Sequence, residues 1–170
     1  VIGSGLKLQS EIVEEILKMN KINIDTEIFK ENLEVLFNTY AYSKIPDIKG
    51  QDTLHKIAID VFKTAFLGGD CLVVVRIIDG YPRIQVIDGL HIESPLGEAI
   101  KAAKESGNLI KHGVELDKNG KHVAYHVRTN GLEFERIPVY GEKSKRKMTW
   151  MVYGEKKRVD HVRGISQLSQ

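Results

Sequence analysis

The sequence predicts an α+β fold in a single domain, with N-terminal helices packed on an antiparallel sheet of β-hairpins. Three observations carry this. Apolar residues recur at helical spacing from Ile12 to Phe66. Beyond Gly69 they fall instead in short β-branched and aromatic runs. Those runs are separated by Asp-Gly and Asn-Gly pairs, the turn chemistry of antiparallel strands. Helices first and hairpins second differs from the strand–helix alternation that builds a parallel sheet.

The elements follow in order. Between Glu11 and Met19, the residues Ile12, Val13, Ile16, Leu17 and Met19 are helically spaced, and Ser10 is placed to cap them. Asp25 or Thr26 opens a second helix, with Ile28, Phe29, Leu33, Leu36, Phe37 and Tyr40 on one broad face. Ile45-Pro46-Asp47 breaks it, because a residue before proline is pushed out of helical conformation. Asp52 or Thr53 caps a third helix carrying Leu54, Ile57, Ala58, Val61, Phe62, Ala65 and Phe66, and Gly68-Gly69 stops it. Strands from Asp70 to Ile78 and from Arg83 to Ile87 flank an expected turn at Asp79-Gly80-Tyr81-Pro82. Strands from Val114 to Leu116 and from Val123 to Val127 flank Asp117-Lys118-Asn119-Gly120. Further strands are expected from Ile137 to Tyr140 and from Met148 to Tyr153. The expected core is Leu33, Leu36, Phe37, Ile57, Val61, Phe62, Leu72, Val74 and Ile84.

Composition bounds the function. With 42% apolar and 28% charged residues, the 170-residue chain is globular in character. It has no run of about 18 apolar residues to span a membrane. A net charge of +2 does not mark a nucleic-acid binder. The single cysteine, Cys71, has no partner for an internal disulfide; within Cys71-Leu72-Val73-Val74-Val75 it reads as a small buried hydrophobe in a reducing compartment. The opening Val1-Ile2-Gly3, without Met or a signal-peptide layout, and the ending Ser166-Gln167-Leu168-Ser169-Gln170 lead to the expectation of a piece of a longer protein.

Motifs for chemistry are lacking. Gly3-Ser4-Gly5 lacks the third glycine of a dinucleotide loop, where Leu8 stands, and no P-loop occurs. No serine sits in a nucleophile elbow. His122 and His126 would share a face on a helix, but their surroundings read as strand, where four residues span about 13 Å, too far for one ion. The carboxylates Glu11, Glu14, Glu15, Glu31 and Glu34 lie on polar helix faces. The expectation is no catalytic residue, no cofactor and no metal. One charge feature stands apart. Lys143, Lys145, Arg146, Lys147, Lys156, Lys157, Arg158 and Arg163 outnumber Glu142, Glu155 and Asp160, giving residues 141–163 a net charge of +5 against −3 for the rest. This is either a solvated hairpin loop or a surface facing DNA or an acidic partner. Trp150 and Tyr153 between its two clusters fit base stacking or plain strand packing.

Several segments, in order, resemble the N-terminal part of lambda-family phage portal proteins. Val1 to Ser10 looks like the family's glycine-rich opening strand. Phe37-Asn38-Thr39-Tyr40-Ala41 is similar to its F-x-x-W-A segment, with Tyr40 in place of Trp. Phe66-Leu67-Gly68-Gly69-Asp70-Cys71-Leu72-Val73 resembles a helix end entering the G-D-x-hydrophobic strand. Gln85-Val86-Ile87-Asp88-Gly89-Leu90-His91-Ile92 is similar to L-I-E-P-D-R-L, with Asp88-Gly89 replacing Glu-Pro-Asp. The best match joins Ile110-Lys111-His112-Gly113-Val114-Glu115-Leu116-Asp117 to Asn119-Gly120-Lys121-His122-Val123-Ala124-Tyr125-His126-Val127. Asp160-His161-Val162-Arg163-Gly164-Ile165-Ser166-Gln167-Leu168 looks like G-Q-x-R-G-V-S-x-L, with Asp160-His161 replacing Gly-Gln. The departures at Tyr40, Asp88 and Asp160 suggest a remote member, as a prophage would carry.

The resemblance implies a structural subunit with no catalytic residues. It implies a ring, typically of twelve copies, at one capsid vertex of the virion, assembled in the host cytoplasm. It implies docking of the packaging motor, the terminase, then of head-completion and tail proteins, with non-specific DNA passage and no membrane. This stretch would be the α/β wing region, with the stem, clip and crown following Gln170. Gly164 is expected where the backbone turns into a next helix. Two rival readings stay open at this point. One is another virion structural or interaction module. The other is a small hydrolase or nucleotide-binding enzyme, which would need convergent titratable groups.

Overall fold

In the computed structural model, which describes residues 6–9, 11, 14–131 and 133–169, the chain is α+β. It forms two compact units, one up to Ile59 and one from Asp60. In the first unit, α1 spans Glu14–Met19 and α2 spans Thr26–Tyr42, while α3, Leu54–Gly68, runs across the division. Residues 6–9 form no strand; the rest of the expected opening strand, with Ser10, Ile12 and Val13, lies outside the described residues. Asp25 starts α2, its Oδ1 accepting the backbone N–H groups of Glu27 and Ile28 at 3.1 Å each. After α2 the chain turns around Asp47. Its carboxylate accepts the backbone N–H groups of Lys49, Gln51 and Asp52 at 3.2, 2.9 and 3.2 Å.

The second unit holds α4 (Glu98–Glu105) and two antiparallel sheets. β1 (Asp70–Ile78), β2 (Tyr81–Asp88) and β7 (Thr149–Tyr153) form one, in the order β2-β1-β7. β3 (Leu109–Lys111), β4 (Val114–Leu116), β5 (His122–Arg128) and β6 (Phe134–Pro138) form the other, in that order. The β1–β2 turn is shorter than expected. Asp79 and Gly80 alone make it, with φ of 52° and 80°, the left-handed pair a two-residue hairpin requires. Tyr81 and Pro82 already belong to β2, opposite Ile78 and Ile77. Proline is tolerated because β2 is an edge strand. The Asn119-Gly120 hairpin forms: the Gly120 N–H reaches Asp117 O at 2.9 Å, with φ of 79° at Gly120.

The sheets join at Val139, whose N–H donates to Val123 O at 2.9 Å and whose carbonyl accepts from Met148 N at 2.8 Å. Leu72, Val74 and Ile87 of the first sheet share a core with Val114, Leu116, Tyr125, Val127 and Ile137 of the second. Ile92 and Val162 complete it from the connections. The core expected from sequence needs correction. Ile57, Leu72 and Val74 are buried, and Leu33, Phe37, Val61 and Ile84 are half-buried. Leu36 and Phe62 are exposed, at 66% and 55%. The core of the second unit is instead built between the two sheets, where Val114, Leu116, Tyr125, Val127 and Ile137 face Leu72, Val74 and Ile87. Helix α4 was not anticipated: at eight residues, Glu-Ala-Ile-Lys-Ala-Ala-Lys-Glu, it is short, and its apolar side is made of alanines around one large residue, Ile100. No helix of the described residues is long and apolar enough to cross a membrane.

Candidate functional site

The basic residues fall into two structural kinds. Residues 141–147 are a tight hairpin: Tyr140 bridges Lys147, and Gly141 N–H bonds Arg146 O at 2.9 Å. This turn lifts Lys143, Lys145, Arg146 and Lys147 into solvent. Lys156, Lys157 and Arg158, following β7, are exposed as well. Among the described residues none of these seven forms an ion pair. Three lysines of this region lie over aromatic rings. Lys147 Nζ is 5.8 Å from the Trp150 centroid, Lys156 Nζ 4.8 Å from that of Tyr153, and Lys121 Nζ 4.7 Å from that of Tyr140.

Arg163 is the other kind. Its Nε and Nη2 grip the two carboxylate oxygens of Asp70 at 2.7 and 2.8 Å. Nη2 also donates to Gly89 O at 2.6 Å, and Nη1 to Ile92 O at 2.7 Å and His112 O at 3.2 Å. These contacts use all five N–H donors of the guanidinium. The next residue adds a further bond, Gly164 N–H to Asp70 Oδ2 at 2.7 Å. Asp70 is buried, its side chain 2% exposed. Glycines make the approach possible. A Cβ on Gly89 would overlap Asp70 Oδ1, and one on Gly164 would overlap the Gly69 carbonyl. Gly164 thus serves close backbone approach, not entry into a helix as its sequence position suggested; residues 160–169 contain no helix.

The segments held together here are Gly69-Asp70, Asp88-Gly89 and Arg163-Gly164, three of those that resemble the portal pattern. A family model described as phage portal protein, lambda family, matches residues 1–170. The chain belongs to this family. A search of curated proteins gave no match. Portal proteins of the family are structural.

A second buried polar cluster, one that sequence reasoning missed, centres on Glu115 on β4, 3% exposed. It accepts from Arg136 Nε at 2.7 Å, Arg136 Nη2 at 2.9 Å and Asn108 Nδ2 at 2.8 Å, with His126 Nε2 at 3.3 Å. Burial opposes its ionisation, but the hydrogen bonds from Arg136 and Asn108 and the Arg136 charge outweigh it and hold the carboxyl below its usual range. Arg136 and Asn108 thus give the Glu115 carboxylate three donated hydrogen bonds inside the fold. Burial, against the opposing pull of Glu115, keeps His126 below the ordinary histidine value, so the imidazole is neutral at pH 7. α4 lies over this cluster, its Ala99, Ala102 and Ala103 lining a cleft of about 210 Å³ with Glu115, His126 and Arg136. The available signal was a glutamate between two apolar residues in a short strand, Val114-Glu115-Leu116. His122 and His126 both lie on β5, and among the described residues no three His, Cys, Asp or Glu side chains are grouped to hold a metal ion. Cys71 is buried, and burial with the Asp70 and Asp88 charges pushes its thiol up to about 12.

Proposed function

We propose that residues 1–170 are the wing-region part of a portal subunit, one domain of a ring-forming head–tail connector at a capsid vertex. DNA is packaged and ejected through that ring, and the stem, clip and crown belong to other parts of the subunit. The observation that carries this is the family match over the whole chain. Two features of the structure support it. The polar clusters at Arg163 and Glu115 are saturated internally, which suits a load-carrying scaffold more than a reaction site. On α2, Ile28, Phe29, Val35, Leu36 and Tyr42 repeat at sevenfold spacing and are exposed, an apolar face of the sort that neighbouring copies cover in an assembly. In this reading the partners are further copies of the subunit, probed most simply as a dodecamer, the terminase motor, and the head-completion and tail proteins. The exposed cations Lys143, Lys145, Arg146, Lys147, Lys156, Lys157 and Arg158 face DNA or an acidic partner through charge-neutralising contacts without sequence readout. Arg163 belongs to the same sequence stretch, and its role is to fasten the fold. The subunit works in the virion and is assembled in the host cytoplasm. Electron microscopy of the full-length protein tests the reading: rings with a central hole are expected, and a dispersed monomer under assembly conditions would refute it.

A further inference from the structure

A pocket of about 260 Å³ opens where β5, the residues after β6 and β7 meet, lined among others by Lys121, His122, Tyr125, Tyr140, Lys147 and Tyr153. No carboxylate lines it. Asp117 and Glu142 border the neighbouring depression, which shares Lys121, His122 and Tyr140 with it. Lys121 and Lys147 line the pocket itself, and Lys156 stands over the Tyr153 ring that forms one wall. None of the three lysines has an ion-pair partner among the described residues. Their ammonium groups rest against ring faces, so less side-chain freedom remains to be lost on binding. The floor is polar and fixed: His122 Nδ1 lies 2.9 Å from the Tyr125 hydroxyl.

We propose that this pocket is an anion site that receives carboxylate side chains of an acidic protein segment. Three cations without a direct ion-pair partner surround one concavity and concentrate positive potential there, with the Asp117 carboxylate offsetting Lys121 in part from outside the pocket. Duplex DNA presents its charges in rows on a convex surface, at about one per 1.7 Å of axis, and is better met by cations strung along a surface. Tyrosine walls add apolar contact for the methylenes of an inserted Glu or Asp, which a phosphodiester would not use. A duct through which DNA must slide also gains nothing from a pocket that grips it. The positive potential is already felt by His122, whose imidazole is held below its ordinary value by burial and then by Lys156 and Lys147.

The inference rests on the pocket and not on ring formation, so it can fail while rings are seen, and the reverse. The test uses the 170-residue chain with a hexaglutamate peptide, His122 titration followed by NMR, and a 20-base-pair duplex as the competing polyanion. Bound carboxylates offset Lys147 and Lys156, so the peptide should raise the His122 pKa. Lys121→Ala with Lys147→Ala should weaken peptide binding by about tenfold or more, whereas Lys143→Ala with Lys157→Ala, outside the pocket, should change it by less than about threefold. Circular dichroism and unfolding curves confirm that the surface variants stay folded. Equal losses from both pairs would mean a diffuse basic loop and overturn the proposal. So would a His122 pKa indifferent to the peptide, or one moved more by the duplex than by the peptide at the same salt.

Discussion

Replacing Arg163 by Ala removes one half of a nearly buried ion pair. The Asp70 side chain is 2% exposed and that of Arg163 24%. With the guanidinium gone, a buried carboxylate loses two charge-assisted hydrogen bonds and keeps only the Gly164 N–H among those partners. The carbonyls of Gly89, Ile92 and His112 lose a donor at the same time. Leaving one partner of a buried pair uncompensated costs about 3–5 kcal/mol. With a urea slope of about 2 kcal/mol/M, the midpoint should fall by roughly 1.5–2.5 M. Arg163→Lys keeps the charge, but a point donor cannot span both carboxylate oxygens and three carbonyls, so an intermediate loss is expected. Gly89→Ala should destabilise as well, by forcing Asp70 out of place. Trp150 is the only tryptophan and pairs with Val73 across β7 and β1, next to the strand that Asp70 opens, so its fluorescence reports the transition. A midpoint change below about 0.5 M for Arg163→Ala would put the pair in the range of exposed surface bridges, about 0–1 kcal/mol, and refute the reasoning.

Three further outcomes are expected. Stability should decline as pH falls from about 7. The imidazoles of His122 and His126 bind protons less readily in the folded state than in the unfolded chain, so their contribution is lost below the unfolded value of about 6.5. Glu115, with its folded pKa depressed, adds stability that is present above the unfolded value of about 4.3 and lost as pH falls through the folded one; Arg136→Ala should flatten that lower limb. Urea midpoints from pH 8 to 5 check the histidine limb and midpoints from pH 5 to 2 the Glu115 limb, and a rise in stability between pH 7 and 5 contradicts the sign. Cys71 should resist iodoacetamide in the folded protein and react once urea unfolds it, since its thiol is buried and ionises only near 12; mass spectrometry that finds rapid native alkylation would count against this. Any binding of the chain to duplex DNA should be weak, sequence-independent and salt-sensitive, and Lys145→Ala, Arg146→Ala and Lys147→Ala together should lower the slope of log K against log salt by up to about 3. An unchanged slope would show that the hairpin touches no phosphate.

Local chemistry made much of this chain readable. Asp25 starts α2 because its carboxylate competes for the first free N–H groups, and Gly69, at φ 101°, follows the last turn of α3 as a left-handed residue can. The Asp-Gly hairpin forms because Asp79 and Gly80 both accept left-handed backbone, and the Asn-Gly hairpin because Gly120 does while the Asp117 carboxylate takes the Asn119 N–H. Each is a relation between residues a few positions apart, which sequence displays directly. The ordered motifs also led to the portal family. What sequence could not display are relations across distance. Val139 joins two sheets that read as one series of hairpins. α4 is a short helix whose apolar side is mostly alanine, small residues suited to close approach over Glu115. Leu36 and Phe62 look like core residues by periodicity, yet the chain leaves them uncovered. Arg163 shows the difference most plainly. In sequence it is one more cation in a basic run; in the fold it meets Asp70, 93 residues away, and spends every donor there. Charge pattern along a chain is a one-dimensional property. Whether a charge faces solvent or a buried partner is fixed only when the tertiary structure decides what surrounds it.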